Sequence, residues 1–324
     1  MDRILCLGEA LVDMIATEVG DLAGVRTFVK AAGGAVANVT VGLARLGARV
    51  SFAGAVGNDP FGRFLRGRLA EEGVDVTWLR TSADYPTGVV FVSLDANRVP
   101  TFCFYGTPSA DMMYGPESVE PAMLDGVGFV HFGTVSMVRE ESRSATWKLV
   151  DLARSQGVKV SFDPNLRLHL WRDHEELRAT ARRASALASV VKLNEDELRF
   201  LTGESGVQAG ARALRALGPE LVVVTRGPQG TYYLGPGAEG ELPGFAVAAV
   251  DTTGAGDSFI AGLLAALVGA GWPPDAETLR SAVRRANACG ALATTAVGAT
   301  AGLPRRAGLE DFLRAAPQIA TTGK

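Results

Sequence analysis

Short apolar runs alternate with longer stretches of helical periodicity along most of this chain, and that alternation restricts its fold more than any other feature. Residues 3–7, 49–55, 127–132, 158–162, 190–193, 221–225 and 232–234 read as buried strands. Between them, residues 35–46, 61–72, 140–156, 259–270 and 277–296 carry helical stripes. Val36, Val39, Leu43 and Leu46 form one such stripe, with Gly47 placed to end it. Strands interleaved with helices predict a mostly parallel sheet covered on both faces. One region breaks the rhythm. Residues 87–94 and 100–105 are two β-rich runs joined by Asp95-Ala96-Asn97-Arg98-Val99, with no helix between them. With residues 26–32 they predict a small extra sheet, inserted into the large α/β unit as a lid.

Composition narrows the function classes. The length of 324 residues suggests about two domains. The absence of a Ser/Gly/Pro linker favours one domain with an insertion instead. Hydrophobic residues make up 47% and charged residues 21%, which suits a soluble protein with a sizeable core. The net charge is −3 and no Lys/Arg block stands out, so a nucleic-acid footprint is missing. Cys6, Cys103 and Cys289 are scattered and odd in number, which fits a reducing compartment better than a disulfide framework. No CxxC or His/Cys cluster suggests zinc, and His131, His169 and His174 are not spaced as metal ligands. The start of the chain, MDRILCLGEALVD, lacks the pattern of a secretory leader, and no apolar span is long enough to cross a bilayer. These features predict a cytoplasmic protein.

Two glycine-led stretches carry the candidate chemistry. DTTGAGDSFIAG, residues 251–262, sets Gly254, Ala255 and Gly256 directly before Asp257 and an apolar helix. A helix N-terminus has unpaired N–H groups and a positive dipole end, and small residues let an anion approach them. Asp257 as a simple helix cap explains the acid but not the whole run. A Walker P-loop is excluded, because no GxxxxGK[ST] occurs. The second stretch, residues 31–47, places Gly33 and Gly34 ahead of a helix with Asn38 in its first turns. That amide suits ligand hydroxyls, and is equally compatible with a solvated helix start.

Together, Gly33-Gly34-Ala35-Val36-Ala37-Asn38 and Asp251-Thr252-Thr253-Gly254-Ala255-Gly256-Asp257 resemble the two signatures of the ribokinase-like (phosphofructokinase-B-type) carbohydrate kinases. The resemblance covers essentially the whole chain. It implies a ribokinase-like three-layer α/β/α sandwich, as a single kinase domain over residues 1–324, with lid strands inserted at about 11–34 and 86–107. PSADM (108–112), SFDPNLR (161–167) and VKLNEDELRFLTG (191–203) look like the corresponding stretches of fructokinases. Fructokinases commonly carry an arginine after the lid tyrosine, where this chain has Tyr105-Gly106-Thr107.

The resemblance assigns Asp257 as the general base and Gly254, Ala255 and Gly256 as the anion hole, with Arg167 at the sugar–phosphate border. It assigns Asp13, Gly33, Gly34 and Asn38 to the sugar, with Phe104 and Tyr105 of the lid covering it. Thr225, Gly227, Gly230, Asn194 and Asn287 fall on the ATP side. Asn194 and Glu197 would place Mg²⁺ through water, although N-x-x-E ahead of Leu198 and Leu201 is also a capping box. Asp251 and Thr253, with carbonyls of Ala293, Ala296 and Gly298, match the positions of a potassium ion. Asp13 has an independent argument, since it interrupts the apolar residues Leu11, Val12, Met14 and Ile15, where an unpaired carboxylate is costly. The implied activity is ATP-dependent phosphorylation of a sugar hydroxyl, fructose at its 6-hydroxyl in the first place. The alternatives are 2-keto-3-deoxygluconate, or another sugar of the same family, with a nucleoside kinase more distant. A non-catalytic sugar- or nucleotide-binding protein is the alternative outside enzymes. The lid edges would pair two copies into a homodimer.

Overall fold

The structure is a computed structural model that describes residues 2–94 and 100–316. The expected connector at 95–99 lies outside them. Strand β1 (Arg3–Leu7) shows how the core is built. Ile4 and Cys6 point to one face of the sheet and Leu5 and Leu7 to the other, and all four are buried. A run buried on both faces belongs to the middle of a parallel sheet. The other parallel strands are β4 (Val50–Gly57), β5 (Leu79–Ser82), β8 (Val127–Gly133), β9 (Lys159–Asp163), β10 (Val190–Asn194) and β11 (Leu221–Thr225). The antiparallel hairpin β12 (Thr231–Gly235) and β13 (Ala238–Leu242) closes one edge. The order is β13-β12-β11-β10-β9-β8-β1-β4-β5.

Helices cover both faces, giving the three-layer α/β/α sandwich. On one side lie α1 (Ala35–Arg45), α2 (Pro60–Glu71), α7 (Ala255–Leu267), α8 (Ala276–Ala293) and α9 (Arg306–Ala315). On the other lie α3 (Glu140–Ser155), α4 (His174–Leu187), α5 (Glu195–Thr202) and α6 (Val207–Arg215). Helix α7 is buried almost all round from Ser258 to Leu264, since it packs between α1, α8 and the sheet.

The small sheet is separate. Its order is β3-β2-β6-β7, formed by β2 (Leu11–Ala16), β3 (Phe28–Gly33), β6 (Val89–Leu94) and β7 (Pro100–Tyr105). It leaves the large sheet directly after β1 and returns directly into α1. Its strands therefore stand over the C-terminal end of β1, where the βα loops of the parallel sheet also converge.

Several elements differ from the sequence expectation. Helix α7 begins at Ala255, not beside Phe259, so Asp257 is the third helical residue and Gly254 takes the cap position. Helices α4, α6 and α9, with strands β5 and β13, carry signals too thin to be read beforehand. Helix α4 buries only Leu177 and three small residues among its charges, and in β13 only Leu242 is fully buried.

Candidate active site

Gly254 has φ +78, and a Cβ there would lie 2.4 Å from the Ala299 carbonyl oxygen, so any other residue is excluded twice over. The Ala255 N–H closes a turn on Thr252 O, at 3.2 Å. The N–H groups of Gly256 and Asp257, in the first turn, are left to face outward with the dipole's positive end. Asp251 holds the approach to this turn. One carboxylate oxygen accepts from Thr253 N and Oγ1, at 2.9 and 2.7 Å, and the other from Gly298 N, at 2.8 Å. Burial opposes its ionisation, but those donors hold its pKa below the usual range. Val250 and Asp251 donate to Thr294 O, which brings the 251–253 strap against the end of α8 at Ala293 and the turn beyond it that carries Ala296 and Gly298. A carboxylate, a hydroxyl and nearby carbonyls are a hard oxygen set, which fits potassium.

Asp257 meets the second glycine-led stretch. Asn38 Nδ2 donates to Asp257 Oδ2 at 2.9 Å, across a separation of 219 residues. Asp13 is the next carboxylate. A Cβ at Gly33 would lie 2.1 Å from Asp13 Oδ2, so the glycine is what makes room for the acid beside α1. Burial, followed by the charge of Asp257, pushes Asp13 up to about 6. Asp257 is also pushed up to about 6. Burial is the main cause and Asp163 adds to it, while the Asn38 bond, Lys192 and Arg167 oppose.

Two residues that the sequence reading left without a role sit at the centre. Asp163 ends β9 and Lys192 lies on the neighbouring β10. Their side chains are 6% and 7% exposed and bond at 2.8 Å through Asp163 Oδ2. Burial works against the Lys192 ammonium, but the Asp163 and Glu197 charges outweigh it and hold its pKa above the usual lysine value. A Cβ on Gly256 would come within 2.9 Å of Lys192 Nζ, so this cation lies against the first turn of α7. A lysine inside an otherwise apolar strand run was the available signal.

The N-x-x-E pattern forms a capping box. Asn194 Oδ1 accepts from Glu197 N and Glu197 Oε2 accepts from Asn194 N, both at 2.9 Å. Glu197 Oε1 accepts from Leu166 N at 2.8 Å and so anchors the loop that carries Arg167. With each oxygen already holding a backbone N–H, this carboxylate suits a magnesium ion with a water shell better than direct ligation. Among the described residues, no three His, Cys, Asp or Glu side chains are arranged to hold a metal ion. Arg167 Nη1 donates to Asn165 Oδ1 at 2.7 Å, which folds the guanidinium onto its own turn.

On the small sheet, strand parity sets Asp13 and Phe104 on one face and Tyr105 on the other. Phe104 reaches the Arg167 loop, with its ring 5.3 Å from that of His169. Tyr105 is 68% exposed and packs edge-on against Phe91, which corrects its assignment beside Phe104 as a sugar cover. On the nucleotide side, Thr225 ends β11 and its hydroxyl bonds Leu193 O, while Gly227 and Gly230 bound the turn into β12. Asn287 is committed elsewhere. Its Oδ1 accepts from Thr231 Oγ1 at 2.6 Å and its Nδ2 bonds Leu242 O and Pro243 O. It braces the groove wall, and only a second lone pair on Oδ1 is left for a ligand.

Comparison with known proteins gives the family. Residues 1–306 match the model of the pfkB family of carbohydrate kinases. The chain belongs to that family. It is 42% identical to a fructokinase of Klebsiella pneumoniae over 312 residues, covering 96% of this chain and 99% of that one. A fructokinase double mutant of Vibrio cholerae O395, solved with fructose, ADP and potassium, superimposes with a TM-score of 0.86 at 38% identity, covering 97% and 98%. An aminoimidazole riboside kinase of Salmonella enterica, solved with its riboside and an ATP analogue, gives 0.84 at 35%, covering 96% and 99%. The chain is therefore a ribokinase-like carbohydrate kinase.

Removing one partner of the buried pair leaves the other charge stranded. Lys192→Met is expected to cost about 3–5 kcal/mol of stability in urea unfolding. A loss below about 1 kcal/mol would show that the pair carries no such strain.

Proposed function

We propose that this carbohydrate kinase is an ATP-dependent fructokinase, transferring the γ-phosphoryl group to the 6-hydroxyl of fructose. The observation that carries the reading is Asp257, a half-buried carboxylate held by Asn38 at 2.9 Å in the first turn of a helix whose N–H groups face outward. A base needs to reach the hydroxyl proton, and the transferring group needs fixed donors where its charge develops. One turn of α7 supplies both. Fructose would lie on Gly33, Gly34 and Asn38 with a hydroxyl to Asp13. Phe104, backed by His169, would shield it from water, and Arg167 would stand at the phosphate border. The 42% identity to a fructokinase supports fructose over other acceptors.

ATP would lie along Thr225, Gly227 and Gly230, with its terminal phosphate on the N–H groups of Gly254, Gly256 and Asp257. Magnesium neutralises phosphate charge when bound; Asn194 and Glu197 would hold its water shell. Potassium beside Asp251 and Thr253 would steady the strap that presents Gly254.

The small sheet serves this domain as a lid, and it would also pair two copies. Val29 and Phe102 share the Asp13 face and are 57% and 47% exposed, apolar surface that a second lid would cover. Light scattering is expected to give a dimer, and a monomer at working concentration contradicts this pairing. The protein would work in a reducing cytoplasm, since Cys6, Cys103 and Cys289 are all free.

The discriminating assay compares fructose, 2-keto-3-deoxygluconate, ribose, glucose, adenosine and aminoimidazole riboside by kcat/KM. Fructose is expected to lead. A lead for the riboside would move the protein toward its 35%-identical relative, and no sugar-dependent ADP release would leave a binding protein. Asp257→Asn is expected to lower kcat by about 10²–10⁴-fold with ATP affinity kept. Because Asp257 must be ionised to accept the proton, kcat/KM should fall as pH drops through about 6, its raised value. A flat profile down to pH 5, or near-normal turnover of the variant, contradicts the assignment of this base.

A further inference from the structure

Beside Asp257 lies a small, partly open cavity whose other acidic groups the proposed chemistry does not use. It is lined by Glu9, Val36, His131, Thr134, Asp163 and Asp257, among others, and its volume of about 10 Å³ has room for one water. Two carboxylate oxygens on its wall accept no hydrogen bond from the protein, Glu9 Oε2 and Asp163 Oδ1. Both residues are almost fully buried, at 3% and 4% exposure. Their other oxygens are engaged. Asp163 Oδ2 is on Lys192, and Glu9 Oε1 accepts from Ala35 N at 2.7 Å and Val36 N at 3.3 Å. Glu9 thereby supplies the cap that α1 lacks from its own N-cap residue, Gly34. That helix carries Asn38, which holds Asp257.

Buried acceptors without a donor are costly, and a polar cavity of one-water size is the usual remedy. We propose that a single internal water donates to Glu9 Oε2 and Asp163 Oδ1 and turns its lone pairs toward Asp257, which makes Glu9 a positioning residue for the base. A lone pair facing a carboxyl favours its protonated form and so keeps it a stronger proton acceptor. The charged groups around Asp257 are Asp13 from β2, Asp163 and Arg167 from β9 and its loop, Lys192 from β10, and Glu9 across the cavity. His131 also lines the cavity, but burial pushes it down to about 4, so it stays neutral in the working range. Burial pushes Glu9 up to about 7 and the charge of Asp111 adds to it, with the backbone donors at Ala35 and Val36 opposing, so Glu9 takes up its proton before Asp257 does.

The inference rests on Asp257 as the base, and the test separates the two. Glu9→Gln keeps the shape of the side chain. Its Oε1 must still face Ala35 N, which puts the amide NH₂ where Glu9 Oε2 stood. The water then accepts from Gln, as it does from Glu9 itself once that acid is protonated below about pH 7, and its freed hydrogen turns to Asp257. The unmodified enzyme is therefore expected to gain kcat/KM in two steps, through about 6 as Asp257 ionises and through about 7 as Glu9 does, and Glu9→Gln to keep the first step and lose the second. A second step that is missing from the unmodified enzyme, or that persists in a variant of equal melting temperature, overturns the proposal and leaves the kinase reading intact. A kinase reading that fails shows itself in the unmodified enzyme as no sugar-dependent turnover. A high-resolution crystal structure of the unmodified chain gives an answer independent of activity. One ordered water bridging Glu9 and Asp163 is expected, and a dry cavity overturns the proposal.

Discussion

The hydrogen bond from Asn38 to Asp257 is the contact on which the site depends. An ionised carboxylate cannot be buried without a donor, and this one lies in the first turn of a helix packed on nearly all sides. The donor comes from α1, so α1 and α7 must pack side by side at one end of the sheet. That fixes where both glycine-led turns can lie. It also fixes where β3 enters α1, which places Asp13 against Gly33. The proposed base, sugar floor and anion hole are thus placed by one helix–helix contact.

Carboxylates crowd this end of the molecule. Burial raises the pKa values of Glu9, Asp13, Glu197 and Asp257, and it is the largest cause at each. Lys192 is the counterweight, since its charge lowers those of Glu197 and Asp257. The result is a carboxylate poised near 6, well above an ordinary aspartate and still ionised at neutral pH, which suits the proposed base. Buried charge is poor value for stability, and its concentration here instead of in the two apolar cores points to use.

Much of this was legible in the sequence. The alternating runs gave the sheet because β1, β8, β9, β10 and β11 are buried on both faces and read as short, largely apolar segments. The two glycine-led motifs named the ends that meet, since only small residues permit the φ of Gly254 and the approach of Asp13 to Gly33. What could not be read was pairing across strands. Nothing local marks Lys192 as the partner of Asp163, and Glu9 looks like a turn acid until α1 is seen above it. Tyr105 was misjudged for a related reason. Its neighbour Phe104 faces the site, and one residue along a strand is the opposite face. The bracing role of Asn287 was hidden because its partners, Thr231 in β12, Leu242 at the end of β13 and Pro243 after it, are 44 to 56 residues away.

The account turns on one turn of helix serving both as base and as phosphate cradle. A crystal structure with fructose and a non-hydrolysable ATP analogue measures that directly. The account predicts the fructose 6-hydroxyl within about 3 Å of an Asp257 carboxylate oxygen and the terminal phosphate on the N–H groups of Gly256 and Asp257. A hydroxyl held away from Asp257, or a phosphate seated off the N-terminus of α7, would contradict it.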